Sequence, residues 1–84
     1  MQDRQRSAEQ LDQIGRAEAC HVRLPDTYVS QFHAKVFARD GGWFVEDLGS
    51  TNGTYVNGIK VSEPRRLSQG DVIRIGETDL RFER

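Results

Sequence analysis

The chain has 84 residues and a formal net charge of −1, with 36% hydrophobic and 30% charged residues. That composition describes one folded domain; a chain this short buries only about 60–65% of its unfolded surface, which leaves no core for a second. It has no apolar run near the roughly 20 residues of a membrane span, and the polar start MQDRQRSAEQ predicts no signal peptide. Cys20 is the only cysteine, which excludes an internal disulfide framework and a multi-cysteine zinc site and fits a reducing, cytoplasmic setting. Near-zero charge argues against general nucleic-acid binding.

Residues 1–13 form a polar segment, with Met1, Ala8 and Leu11 its only apolar side chains. It reads as a disordered tail or as a replacement for opening strands. A short helix is the other option, since Ser7 and Gln10 resemble a capping box and Leu11 and Ile14 share a helical face. Residues 14–84 then read as the folded domain. Residues 21–24 make a short strand, stopped by Pro25. In residues 33–39, Ala34, Val36 and Ala38 share one face, and Lys35 and Arg39 the other. Phe37 has the parity of the charged face, as an exposed contact or as a residue under the N-terminal segment. Asp40-Gly41-Gly42 is a hairpin signal. Residues 43–48 return with broken parity, which predicts a bulge near Asp47. Asn57-Gly58 is a second hairpin turn, between residues 54–56 and 59–61. Residues 72–75 and 79–83 form the last pair, with Leu80 and Phe82 inward. Trp43, Phe44, Ile75 and Phe82 read as core. Regular short strands without a helical pattern predict an all-β fold, an antiparallel sandwich or barrel.

Three loops carry polar donors that no core requires. They are Ile14-Gly15-Arg16, residues 28–33, and residues 48–54. Arg16 offers a planar fork of donors suited to phosphate. Ser30 and Thr51 offer hydroxyls, Gly49 and Gly53 let backbone amides turn towards an anion, and Asn52 can both donate and accept. A nucleotide cradle is not indicated, because the P-loop lysine pattern is missing.

Together, Gly15-Arg16, Ser30-x-x-His33, Ser50-Thr51-Asn52-Gly53-Thr54 and Val56-Asn57-Gly58 closely resemble the forkhead-associated (FHA) domain. Leu24-Pro25-Asp26, Asp47-Leu48 and Gly70-Asp71-Val72-Ile73 extend the likeness from about Ile14 to Phe82. The resemblance implies a β-sandwich that binds phosphothreonine peptides through loops at one end. It implies phosphate contacts for Arg16 and Ser30, a supporting contact for Thr51, and a hydrogen bond from Asn52 to the peptide main chain. Gly15 and His33 match positions that shape loops; Gly53 and Asn57 are turn residues. Gln31 stands in the phosphopeptide loop where many relatives have a basic residue, which removes a charge. The family also has about two strands before its glycine–arginine step, and only 14 residues precede Gly15 in this chain. The N-terminal strands are therefore shortened or missing, and an uncovered strand edge is open to dimerisation.

The implied partner is a phosphothreonine protein or peptide, together with a Ser/Thr kinase or its substrate. Nucleic acid, membrane, cofactor and metal are not expected. The alternative is a phosphate-independent assembly or dimerisation module with the same fold. An enzyme using Ser30 and His33 is not expected, because no orienting carboxylate accompanies the pair. Cys20, His21 and His33 are too scattered for a metal site. Lys60, Arg65 and Arg66 read as a local basic patch on a solvated loop.

Overall fold

A computed structural model describes residues 11–83, which form nine strands and no helix. The strands are β1 (Leu11–Gly15), β2 (Val22–Arg23), β3 (Ala34–Arg39), β4 (Gly42–Asp47), β5 (Thr54–Val56), β6 (Ile59–Lys60), β7 (Arg65–Leu67), β8 (Val72–Ile75) and β9 (Thr78–Arg81). They make a five-stranded sheet in the order β2-β1-β3-β4-β7 and a four-stranded sheet in the order β6-β5-β8-β9. All pairings are antiparallel except β1 with β2.

Turn chemistry sets the hairpins. Asp40 and Gly41 both take positive φ, 52° and 78°, and join Arg39 to Gly42. Asn57 and Gly58 do the same at 51° and 84°, joining Val56 to Ile59. Two consecutive left-handed residues match the right-handed twist of the flanking strands. β8 and β9 are joined by Gly76-Glu77, where only Gly76 has positive φ.

The core lies between the sheets. Ile14, Ala34, Val36, Val45 and Leu67 come from the five-stranded sheet. Val56, Ile73 and Ile75 come from the other, and Leu24, Val29 and Val61 close the ends. Each fully buried aliphatic side chain of this size contributes about 1.5–3 kcal/mol.

The structure departs from the sequence reading in several places. Leu11 and Ile14 lie in a strand, not on a helical face; Ser7 and Gln10 fall outside the described residues. Residues 11–13, placed with the polar segment, belong to β1. No bulge occurs along β4: the register runs unbroken from Arg39↔Gly42 to Ala34↔Asp47. The broken parity has another cause. Val45 faces the core, so Phe44 and Glu46 face outward. Phe44 is therefore not core. It stacks on Phe37 at 5.7 Å on the outer face, and Lys35 pairs with Glu46 at 3.5 Å beside them. Phe37 reaches burial there because Lys35 and Arg39 lie over its ring, 5.2 and 5.1 Å from the centroid. β7 was not anticipated, because Arg65-Arg66-Leu67 has too few apolar residues to show alternation.

Candidate functional site

β1 ends at Gly15, and the chain then leaves the sheet directly against residues 28–33. A Cβ on Gly15 would stand 2.2 Å from the Gln31 carbonyl oxygen, so only glycine fits. Backbone bonds fix the crossing. Arg16 N–H donates to Ser30 O at 3.1 Å, Ala17 N–H to Gln31 O at 3.1 Å, and His33 N–H to Ile14 O at 2.8 Å. Arg16 is thereby held beside Ser30, and its Nε–H donates to Val29 O at 2.5 Å. This contact orients the guanidinium and leaves its terminal nitrogens uncommitted among the described residues.

Ser30 ties two loops together. Its Oγ accepts the Thr51 N–H at 3.1 Å, so its own proton remains available to a ligand. The Ser30 N–H donates to His33 Nδ1 at 3.1 Å. An Nδ1 that accepts requires the proton on Nε2, and Nε2 sits 2.8 Å from Gly53 O. His33 is fully buried, so this neutral ring joins the second loop to the third. Asn52 adds a further link, its Nδ2 donating to Tyr28 O at 2.8 Å. Thr51, Asn52 and Gln31 are exposed, whereas Arg16 and Ser30 are half-buried.

The third loop is wound around Asp47. Its carboxylate accepts the Ser50 hydroxyl at 2.5 Å, the Thr54 hydroxyl at 2.7 Å, and the amides of Gly49 and Ser50 at 2.9 and 3.0 Å. Ser50 Oγ in turn accepts Gly53 N–H at 2.9 Å. Burial pushes the Asp47 carboxyl up, but these hydrogen bonds outweigh it and hold it below the usual carboxylate value. Asp26 performs a similar task for the second loop. It accepts the amides of Tyr28 and Glu77, each at 2.8 Å, and the Thr78 hydroxyl at 2.9 Å. Those bonds lower its pKa and fasten the loop to the β8–β9 turn.

The structure therefore brings Arg16, Ser30, Gln31, Thr51 and Asn52 to one end of the sandwich, with Gly15, His33 and Gly53 beneath them. Asn57 lies elsewhere, at the far end of β5. It accepts Val72 N–H at 3.0 Å and donates to Asp71 at 2.9 Å, stitching its turn to β8. The basic patch is not continuous. The Lys60 side chain runs beside Gly53, whereas Arg66 lies over Gly42 in the other sheet. Cys20 is buried and donates to Gln31 O at 3.3 Å, and His21 Nδ1 accepts Gln13 N–H at 3.0 Å. No group of metal-ligating side chains converges among the described residues.

Sequence reasoning missed Arg23. Its Nε donates to Arg16 O at 2.9 Å, and with Arg16, Thr27 and Gln31 it lines a polar depression of about 480 Å³. The signal was the strand 21–24: Arg23 alternates with inward Leu24, and its pairing with Gly15 sets it next to Arg16. Asp47 and Asp26 enter the sequence reading only as parts of the motif; their spacing to Gly49 and Tyr28 is that of an Asx turn.

A two-sheet sandwich with donors gathered on loops at one end defines a binding module rather than a scaffold with a cleft. The chain belongs to the FHA family: the family model "FHA domain" matches residues 13–76. It is 46% identical over 73 residues to the FHA domain-containing protein FhaB of Mycobacterium tuberculosis, covering 87% of this chain and 47% of FhaB. The chain thus spans about half the length of that relative. A solved structure from a structural and functional analysis of phosphothreonine-dependent FHA domain interactions is 40% identical with a TM-score of 0.77, covering 82% of this chain and 71% of that one. The MEK1 FHA domain, solved in complex with a HOP1 phosphothreonine peptide, is 31% identical with a TM-score of 0.75, covering 88% and 79%.

Proposed function

We propose that this chain is a phosphothreonine-dependent interaction module of Ser/Thr kinase signalling, without enzymatic activity, working in the cytoplasm. One observation carries the reading. Arg16, Ser30 and Thr51 are locked into one loop cluster, yet the Arg16 fork and the Ser30 hydroxyl proton keep donors to spare. A phosphate dianion matches that set: two guanidinium N–H groups grip two oxygens, and the Ser30 and Thr51 hydroxyls take others. Asn52 spends one amide N–H on Tyr28 and keeps its oxygen and second N–H for the peptide main chain. Gln31 and Arg23 stand where the residues flanking the phosphothreonine would pass. Burying the threonine methyl against these loops would favour phosphothreonine over phosphoserine by about 0.8 kcal/mol.

The hydrogen bonds argue against a Ser30–His33 nucleophile. His33 commits Nδ1 to the Ser30 amide and Nε2 to Gly53, so neither nitrogen is placed to take the Ser30 hydroxyl proton. The likeness to an FHA domain solved in complex with a phosphothreonine peptide, and to one from an analysis of phosphothreonine-dependent FHA domain interactions, supports the recognition role.

Calorimetry with a phosphothreonine peptide library and its unphosphorylated copy tests the reading. Heat is expected only from the phosphorylated set, and Arg16→Ala should weaken binding by about 2–3 kcal/mol through loss of charge-assisted hydrogen bonds. Equal affinity for both sets would overturn it.

A further inference from the structure

The second loop is a wall between two spaces. On one side it meets the third loop, through Thr51 N–H on Ser30 Oγ and Asn52 Nδ2 on the Tyr28 carbonyl. On the other side Thr27 and Gln31 share the polar depression of about 480 Å³ with Arg23. Arg16 borders both spaces: it lies beside Ser30, its Nε–H holds Val29 O, and it lines the depression. The depression sits at the Gly15 end of β1, about 13 Å from Leu11 at a strand rise of about 3.3 Å per residue.

Its lining is rich in donors. Arg23 is exposed and spends only Nε, on Arg16 O at 2.9 Å, so both terminal nitrogens of its fork are uncommitted among the described residues. The Thr27 hydroxyl and the Gln31 side-chain amide are uncommitted there too. No described carboxylate lies within ion-pair distance of Arg16 or Arg23. Glu18 is the one acid on the lining, and it is exposed, so two guanidinium groups face one carboxylate. Asp26 turns away, onto Tyr28, Glu77 and Thr78.

We propose that Arg23, with Thr27 and Gln31, is a second anion subsite, which selects an acidic side chain near the phosphothreonine of the bound peptide. The inference rests on the phosphothreonine reading of the loop cluster and narrows its ligand to an acidic class. The Arg16 fork meets the phosphate, and the Arg23 fork meets a carboxylate or a second phosphate on a residue within about three positions of it. Arginine suits the task because its planar fork matches two anion oxygens. The exposure of Arg23 keeps the gain modest, about fivefold.

Fluorescence anisotropy with degenerate phosphothreonine peptides tests this. Each position near the phosphothreonine is fixed in turn as Asp, Asn, phosphoserine or Lys, with the others random. At one position the wild type should prefer Asp over Asn about fivefold at low salt. Phosphoserine bound well above Asp assigns the subsite to a second phosphate; equal binding assigns it to carboxylates. Arg23→Gln should bring the Asp-to-Asn ratio to about one, and Arg23→Glu should turn the preference to Lys. An Arg23 that only steadied the Arg16 carbonyl would weaken Asp and Asn peptides by the same factor; an unmoved ratio in Arg23→Gln therefore overturns the proposal. Glu18→Lys tests the same field without altering Arg23: it should raise the ratio, and no change would count equally against the subsite. Trp43 fluorescence on thermal unfolding verifies that each variant folds. A wild type that binds phosphothreonine peptides with no acidic preference overturns the subsite and leaves the recognition role standing. Binding that ignores the threonine phosphate overturns that role, and the subsite with it.

Discussion

The loop cluster around Ser30 and the β9 edge sit on the same sandwich but treat their polar groups in opposite ways. In the cluster the supporting groups have internal partners: Ser30 joins His33 and Thr51, His33 joins Gly53, and Asp47 gathers Ser50, Thr54 and Gly49. No buried side-chain polar atom among the described residues lacks a hydrogen bond. At β9 no described strand pairs with the outer edge, and Leu80 is half-buried. The cluster is organised before its ligand arrives, so binding need not order it. Among the described residues the edge is held from one side only, by its pairing with β8. Substitutions that separate the two regions should therefore differ in size and in kind.

The largest effect belongs to Gly15→Ala. The added methyl meets a backbone oxygen rather than a flexible side chain, so β1 and the second loop must move apart. A loss of about 3 kcal/mol in urea unfolding is expected, together with loss of phosphopeptide binding. Unchanged stability would show that the loop crossing is softer than drawn.

Next come the two hubs, buried His33 and half-buried Asp47. His33→Phe keeps a ring of similar shape but strands the Ser30 amide and the Gly53 carbonyl. Asp47→Ala strands the Thr54 hydroxyl, which is fully buried. Each should cost about 2–3 kcal/mol by chemical denaturation, and each should weaken phosphopeptide binding without touching phosphate. A hub variant that loses stability but keeps full affinity would separate folding of the loops from their organisation for binding.

The fold was largely readable because its hairpins are written in short-range chemistry. Asp40-Gly41 and Asn57-Gly58 need left-handed backbone, and few other residue pairs supply it. The alternation of Ala34, Val36 and Ala38 likewise shows which face is buried. Reading failed where burial came from elsewhere. Phe44 reads as core by residue type, but its partner is Phe37 on the outer face, under the charged heads of Lys35 and Arg39. β7 is held by its pairing with β4 rather than by its own pattern. At the site, the residue types of Arg16, Ser30 and Thr51 pointed to an anion, but their mutual support did not. That Ser30 Oγ receives an amide 21 residues along depends on how the loops fold over the end of β1.

Acid should loosen the cluster through Asp47 and Asp26. Asp47 titrates below the usual carboxylate value near 3.8, since its hydrogen bonds favour the charged form more than burial opposes it. A group whose pKa is lowered by folding contributes stability that is fully present above the unfolded value. That contribution fades as the pH falls through the folded one. Asp26 has the same sign, from the Tyr28 and Glu77 amides. Stability followed by Trp43 fluorescence should therefore be level from neutral pH down to about 5 and then decline as the pH drops below 4. In Asp47→Asn the decline should be shallower. An identical acid profile in that variant would remove Asp47 from the account.

The smallest effect is expected at the edge itself. Arg74 and Asp79 form an ion pair of 3.1 Å between β8 and β9, but both side chains are about half exposed, at 49% and 56%. Water screens such a pair and its two side chains lose rotamer freedom, so Arg74→Gln should cost less than about 0.5 kcal/mol in the monomer. A loss of more than about 1 kcal/mol in urea unfolding would mean that the pair holds β8 to β9 more firmly than exposed ion pairs do.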